Sequence, residues 1–162
     1  MTHIEQALRQ LVEYDVEFII VGGVAATYYG SAYITSDLDI CYARHETNLK
    51  KLVDALRPWH PLLRGVHDPV PFLFDAQTIK AGLNFTFTTD IGDIDILGEL
   101  TGLGGYDKLF PLSFETNVFN INCRMLNLDT LIEAKRKAGR QKDITVALEL
   151  EAIKELERKR KR

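Results

Sequence analysis

The stretch Ile34-Thr35-Ser36-Asp37-Leu38-Asp39-Ile40-Cys41-Tyr42 decides the fold class. Polar and apolar side chains alternate over its centre, which predicts a β-strand. Asp37, Asp39 and Cys41 are expected on one face of that strand, and Leu38 and Ile40 on the other. The two carboxylates would then lie roughly 6 to 7 Å apart, and such anions repel each other unless a cation lies between them. The pattern indicates either a site for Mg²⁺ or an acidic strand face turned to solvent.

A continuously apolar run upstream, Phe18–Val21, predicts a buried strand that stops at Gly22-Gly23. The short apolar segment Val24–Tyr29 then predicts a helix, closed by Gly30-Ser31. A glycine turn between a strand and a helix presents backbone N–H groups that can hold a phosphate. Gly22 and Gly23 are therefore candidate phosphate-binding residues, and they also suit a tight turn.

A hairpin is predicted downstream, because residues 83–88 and 93–97 both alternate with period two on either side of Thr89–Gly92. Asp93 and Asp95 share a face of its second arm. A third carboxylate from a separate strand is therefore available to the Asp37 and Asp39 site.

Helices surround these strands in the sequence pattern. Apolar spacing predicts them over residues 2–14, 46–56, 130–138 and 141 to the end of the chain. Asp129 is the predicted N-cap of the third of these helices, and Gly139 its stop. In the last helix the residues predicted to face inward are Ile144, Leu148, Ile153 and Leu156.

Three segments are predicted to be loops or turns. Residues 58–82 lack a sustained period and contain Pro58, Pro61, Pro69 and Pro71, which predicts a long surface excursion. The glycine-rich run 98–105 predicts another loop. A second hairpin is predicted over residues 112–124, turning at Thr116-Asn117.

The length of 162 residues predicts a single domain over 1–162, with a core over about 16–126 and a C-terminal helical segment over about 129–160. A composition that is 46% apolar and 27% charged excludes disordered and membrane-embedded chains. The N-terminus lacks a leader pattern, so a cytoplasmic protein is expected. Cys41 and Cys123 lack metal-binding or disulfide-framework spacing and are predicted to be core residues. The four histidines show no metal-binding spacing either.

Charge is distributed unevenly along the chain. Residues 1–134 carry 9 Lys and Arg against 18 Asp and Glu, whereas residues 135–162 carry 11 against 5. An acidic body with a basic C-terminal segment indicates a cation-requiring site beside a basic wall, or an arm for a polyanion. A solvated helix rich in Lys and Glu explains the last segment equally well, including the tail Arg158–Arg162.

Together these residues resemble the nucleotidyltransferase superfamily with the polymerase-beta-like fold, and more narrowly the small AbiEii-toxin-like nucleotidyltransferase group. The resemblance covers about residues 16–150. It depends on Val21-Gly22-Gly23, on Thr35-Ser36-Asp37-Leu38-Asp39-Ile40, on Ile94-Asp95-Ile96-Leu97-Gly98, and on Leu131–Asp143. It implies an α/β (α+β) fold, with a mixed, mostly antiparallel central sheet that carries three aspartates on one face and helices on the other side.

The resemblance also implies roles for particular residues. Asp37, Asp39 and Asp95 correspond to the carboxylates that hold two Mg²⁺ ions, and Asp95 also helps to deprotonate the acceptor hydroxyl. Asp93 is the fallback for Asp95. The nucleotide-binding residues are Gly22 and Gly23 at the turn, and Lys135 and Lys142, which approach the phosphates. For these two lysines, a solvated helix face is the alternative.

The implied reaction is Mg²⁺-dependent transfer of a nucleoside monophosphate from an NTP to a hydroxyl, with release of pyrophosphate. The acceptor is left open among a tRNA 3′ end, a protein side chain and a small molecule such as an aminoglycoside. A toxin–antitoxin partner belongs to the same comparison. Substrate choice is affected by two departures from the family pattern: Gly23 replaces a serine, and Ala32-Tyr33-Ile34 lacks an arginine found in many relatives. The alternative is a non-catalytic or antitoxin-like member that acts as a nucleotide sensor or protein-interaction module.

Overall fold

A mixed β-sheet forms the centre of the fold in the computed structural model, which describes residues 3–66 and 72–162. The strands are Phe18–Val21 (β1), Leu38–Tyr42 (β2), Leu62–Leu63 (β3), Asn84–Thr89 (β4), Gly92–Leu97 (β5), Glu99–Leu100 (β6), Gly104–Gly105 (β7), Ser113–Val118 (β8) and Ile121–Leu126 (β9). Within the described ranges the central sheet has seven strands in the order β3-β4-β5-β2-β1-β9-β8. The pairs β2–β5 and β1–β9 are parallel and the other neighbours antiparallel. The predicted mixed, mostly antiparallel sheet is confirmed.

Helices flank the sheet. They are His3–Glu13 (α1), Gly22–Tyr28 (α2), Glu46–Leu56 (α3), Ala76–Ala81 (α4), Tyr106–Leu109 (α5), Leu128–Ala138 (α6) and Gln141–Arg160 (α7). Short 3₁₀ turns follow α3 and α5. Over the described part of the chain, no helix has the length and apolar character needed to cross a membrane.

The sheet core determines which face carries the aspartates. Leu38 and Ile40 of β2 are fully buried, as are Ile94 and Ile96 of β5. Since neighbouring strand residues point to opposite faces, Asp39 and the acids of β5 face away from these four side chains. Cys41 and Cys123 are buried as predicted. The helices α6 and α7 line the aspartate side, so helices cover this side of the sheet as well as the other.

The strand predicted from Ile34 begins only at Leu38, so Asp37 lies just before β2. Local bonds at Thr35 account for the difference. Its hydroxyl accepts from the backbone N–H of Asp37 at 3.4 Å and donates to the Asp37 carbonyl at 3.3 Å. Such side-chain bonds offer the backbone an alternative to a strand ladder.

Two other boundaries differ from prediction. The second hairpin turns at Phe119-Asn120 and not at Thr116-Asn117, because both turn residues adopt positive φ values of 52° and 62°, as a two-residue hairpin turn requires. The N-cap of α6 is Asn127 and not Asp129. The Asn127 side chain accepts from the backbone N–H of Thr130 at 2.8 Å.

The segments predicted as loops contain short regular elements. The strand β3 and the helix α4 lie within 58–82, and Asp75 caps α4 by accepting from the Thr78 N–H at 2.8 Å. Pro69 and Pro71 of the predicted surface excursion lie outside the described residues. The glycine-rich run 98–105 contains β6 and β7, which pair with each other.

The inward face of α7 was predicted incorrectly in part. Leu148 and Leu156 are 57% and 63% exposed. The side chains that pack inward are instead Val146, Ala147, Leu150 and Ile153. One more residue on this buried stripe is charged, and it belongs to the candidate site.

Candidate active site

Two aspartates meet at the middle of the sheet. Asp39 on β2 and Asp95 on β5 are direct partners in the parallel register, so their side chains lie side by side on the same face of the sheet. Burial and the neighbouring charge of Asp95 raise the pKa of Asp39 to about 7, against the opposing effect of the Gly23 N–H and of Lys135. The two carboxylates therefore repel each other when both are charged, and a bound proton or cation reduces this repulsion.

Gly22 and Gly23 make room for this pair. The turn predicted here is the start of α2, which follows β1 directly and has these two glycines as its first residues. Val21 is the partner of Asp39 in the β1–β2 register, and Gly22 follows it with a φ of +72°. A Cβ atom on Gly22 would lie 2.0 Å from Asp39 Oδ2, and one on Gly23 would lie 2.7 Å from Thr35 Oγ1. Glycine is thus required at residue 22 by both conformation and space. The structure gives the turn this structural role, and phosphate binding by Gly22 and Gly23 stays a prediction.

Asp37 lies at the edge of the same cavity but outside the strand pair. It is half-buried, and the Ser36 hydroxyl donates to its Oδ1 at 3.2 Å. Asp37, Asp39 and Asp95 all line one cavity of about 260 Å³. Among residues 3–66 and 72–162, however, no group of three or more His, Cys, Asp or Glu side chains is arranged to hold a metal ion. The three aspartates thus share a cavity without forming the predicted common strand face.

Arg64 engages both acids of β5. Its Nη2 atom lies 2.7 Å from Asp95 Oδ1, and its Nη1 atom lies 3.2 Å from Asp93 Oδ2. Burial alone would lower the pKa of Arg64, but the hydrogen bond and charge of Asp95 outweigh it and raise that pKa. Of the two acids, Asp95 lines the cavity, and its assignment as the third site carboxylate stays a prediction.

A basic wall formed by α6 and α7 faces the aspartates. Lys135, Arg140 and Lys142 line the same cavity as Asp39 and Asp95. Two of them are tied to Asp143, which is 1% exposed: Arg140 Nε donates to its Oδ2 at 2.7 Å, and Lys135 Nζ lies 3.6 Å from its Oδ1. Burial alone would raise the pKa of Asp143, but the bonds and charges of these two cations lower it.

The cavity therefore has opposite charges on its two sides. Carboxylate oxygens are the ligands that Mg²⁺ prefers, so the chemistry of Asp39 and Asp95, with Asp37 nearby, fits this ion. Lysine and arginine side chains bind phosphate oxygens. The remaining lining is apolar or hydroxyl-bearing and comes from α2, from the segment before β2 and from α7: Ala26, Tyr33, Ile34, Thr35, Ser36 and Val146. A phosphorylated ligand carrying a divalent cation suits this arrangement.

Three charged residues of the site escaped the sequence analysis. Arg64 comes from the irregular segment after α3, and no local pattern connects it to the distant Asp95. Arg140 was included only in the resemblance segment, without a role. Asp143 carried a usable signal, because it stands at helical spacing with Val146, Ala147 and Leu150, and a charge within an apolar stripe indicates a buried, paired group.

Comparison with known proteins identifies the fold. No family model and no curated protein matches the chain. Among solved structures, the lincomycin-bound lincosamide antibiotic adenylyltransferase LnuA is similar, with a TM-score of 0.60 and 13% identity, covering 93% of this chain and 96% of that one. A Thermotoga maritima protein, TM1012, provisionally assigned as a nucleotidyltransferase, has a TM-score of 0.55 and 14% identity, covering 90% of this chain and 88% of that one. The chain thus has the fold seen in nucleotidyltransferases.

Proposed function

We propose that this protein is a Mg²⁺-dependent nucleotidyltransferase that moves a nucleoside monophosphate from an NTP to a hydroxyl group and releases pyrophosphate. One observation carries the proposal: the half-buried Asp39–Asp95 pair faces Lys135, Arg140 and Lys142 across a single cavity. The fold shared with LnuA and TM1012 supports it. The resemblance to the AbiEii-toxin-like group remains part of the proposal.

In this reaction the acceptor oxygen forms a bond to the α-phosphorus of the NTP, and the bond from that phosphorus to the bridging oxygen of pyrophosphate breaks. The acceptor proton passes to a carboxylate, for which Asp95 is the proposed base. Asp39 and Asp95, with Asp37, would hold Mg²⁺, which stabilises the charge on the attacking and leaving oxygens when bound.

The basic wall has a separate task. Lys135, Lys142 and Arg140 line the cavity and would neutralise the triphosphate and the departing pyrophosphate. Asp143 orients Arg140 and Lys135 through its ion pairs with them, so it acts as a positioning residue. The turn at Gly22 and Gly23 would contact the phosphates through backbone N–H groups.

The comparisons and the resemblance give the acceptors that should be tested first. LnuA is a lincosamide antibiotic adenylyltransferase, so a small hydroxylated molecule is one acceptor to test. A tRNA 3′ end and a protein side chain, in a toxin–antitoxin setting, are the others. Incubation with each α-³²P-labelled NTP and these acceptors would show which one becomes labelled.

A second candidate function is nucleotide sensing without transfer. It is favoured by the ion pair between Arg64 and Asp95, which neutralises one of the carboxylates that the reaction needs. A sensor binds the NTP and leaves it intact, whereas the transferase moves the nucleoside monophosphate to the acceptor and releases pyrophosphate.

The site itself is tested by calorimetric titration of an α,β-methylene NTP analogue with and without Mg²⁺, since this analogue replaces the bond that transfer would break; the labelled-NTP incubation distinguishes transfer from sensing. We expect Mg²⁺-dependent binding that Asp39→Asn abolishes. Asp54→Asn, at an exposed acid of α3, is the matched control for the loss of one charge. Equal binding by Asp39→Asn and wild type, or no binding by either, would reject the assignment of this site.

A further inference from the structure

Arg64 reaches the acid pair from the edge of the sheet. Its backbone N–H donates to the Thr86 carbonyl at 2.9 Å, and Thr86 is the partner of Asp95 in the β4–β5 register. The Arg64 backbone therefore lies on the far side of β4 from Asp95, and its side chain extends across β4 to reach that carboxylate. Its Nη1 also donates to the Phe87 carbonyl at 3.3 Å. With 30% of its side chain exposed, Arg64 is fixed by these contacts and still borders the cavity.

The position of this guanidinium conflicts with a divalent cation. Asp95 Oδ1 already accepts from Arg64 Nη2 at 2.7 Å, so that oxygen is engaged by a positive group. Binding of a metal ion to the same oxygen would break this hydrogen bond. The guanidinium would also repel the metal ion from a few ångströms away. Asp93 holds the other arm of the guanidinium at 3.2 Å, which adds to the cost of moving it.

We propose that Arg64 is an internal counter-ion that competes with the divalent cation for Asp95 and must leave Asp95 Oδ1 before the metal binds there. The inference rests on the proposed function, since it concerns the metal of that same site. It assigns Arg64 as a positioning residue that weakens metal binding in the free protein.

The cavity provides a new partner for the displaced guanidinium. Arg64 lines it together with Lys135 and Lys142, so the phosphates of an NTP bound there would lie within reach of the long Arg64 side chain once it leaves Asp95. Moving Arg64 from Asp95 to a phosphate frees the carboxylate and neutralises the nucleotide at once. Metal and nucleotide should therefore bind with positive coupling, and each should raise the affinity for the other by the same factor.

The test measures metal binding without any turnover. Free Mn²⁺ is titrated into the protein and followed by electron paramagnetic resonance, with and without the α,β-methylene NTP analogue. In the absence of nucleotide, Arg64→Gln should bind Mn²⁺ about tenfold more tightly than wild type, the effect of losing one charged competitor. The analogue should strengthen Mn²⁺ binding by wild type and do so much less for Arg64→Gln. Arg57→Gln removes an exposed arginine from the same part of the chain and should behave as wild type.

Arg64→Lys is a second variant that keeps the proposal testable if Arg64→Gln does not fold. Lysine keeps the charge but lacks the fork that engages Asp93 and Asp95 together, so Mn²⁺ binding should tighten by about threefold. Equal or weaker Mn²⁺ binding by both variants would overturn the role of Arg64. If the Arg64 variants bind Mn²⁺ like wild type but Asp39→Asn abolishes Mn²⁺ binding, the role of Arg64 is rejected and the proposed metal site is retained. If no protein binds Mn²⁺ even with the analogue, both proposals fall.

Discussion

Gly22 and Asp39 are in contact so close that no side chain fits between them: a Cβ atom on residue 22 would lie 2.0 Å from Asp39 Oδ2. The glycine turn and the central acid of the site are therefore one structural unit. A change at either residue is expected to affect the other.

The first prediction concerns Gly22→Ala. The substitution combines a φ of +72° with a clash against the Asp39 carboxylate, and should destabilise the protein by about 3 kcal/mol while displacing Asp39. Gly139→Ala separates the two effects, because Gly139 has a φ of +73° and its added Cβ would meet nothing closer than 3.8 Å. Urea unfolding of the two variants measures the difference. Equal destabilisation would show that the clash with Asp39 is unimportant.

The second prediction concerns pH and Asp39→Asn in metal-free buffer. Because the pKa of Asp39 is raised from 3.8 to about 7 in the folded protein, the native state gains stability from the bound proton at low pH and loses it as pH rises through about 7. The asparagine side chain never acquires this charge, so the variant should be more stable than wild type at pH 8, on the order of 2 kcal/mol. The difference should shrink as pH falls towards about 4, the ordinary pKa of an aspartate.

Thermal unfolding across this pH range measures the effect. Asp54→Asn provides the reference for removing an exposed carboxylate. An Asp39→Asn variant that is less stable than wild type at pH 8 would contradict the strain inferred for the acid pair.

The third prediction concerns Mg²⁺ itself. A ligand that binds only the native state raises the unfolding temperature in proportion to the logarithm of its concentration once the site is filled. Mg²⁺ should therefore raise the Tm of wild type and leave that of Asp39→Asn unchanged, as measured by calorimetry at pH 8. The same Tm increase in both proteins would place the metal elsewhere.

The fourth prediction concerns Asp143→Asn. The variant leaves Arg140 and Lys135 beside a buried group that no longer carries a charge, which should cost about 2 kcal/mol in urea unfolding and weaken binding of the NTP analogue. Glu151→Gln removes an exposed partner of Arg136 and should cost about 0.5 kcal/mol or less. A loss of stability with unchanged nucleotide binding would limit Asp143 to a purely structural role.

Much of the fold followed from local patterns. The strand Phe18–Val21 and the helix Glu46–Leu56 have the predicted bounds, because a single period or an unbroken apolar run dominates each segment. Boundaries failed where a side chain competes with the regular backbone, as Thr35 does before β2 and Asn127 does at the start of α6. Such competition involves one or two local hydrogen bonds and leaves no period in the sequence.

Only those residues of the candidate site that stand in local sequence patterns were predictable. Asp39, Asp95 and the glycine turn stand in short strand patterns that sequence reasoning detects. Arg64 could not be assigned, because its partner is determined by the pairing of the two-residue strand β3 with β4. The inward face of α7 was assigned from Leu148 and Leu156, which are exposed. Because of this error, Asp143 was not recognised as part of the buried stripe.

The parallel register that pairs Asp39 with Asp95 also pairs Leu38 with Ile94 and Ile40 with Ile96. A slip of β5 by one residue would turn Asp95 towards the apolar core and bring an isoleucine to the cavity. The same alignment thus serves both the candidate site and the apolar interior, so a chain that misaligns these strands would lose the acid pair together with its stability. Removal of unstable chains would consequently also remove the chains in which the acid pair is not assembled.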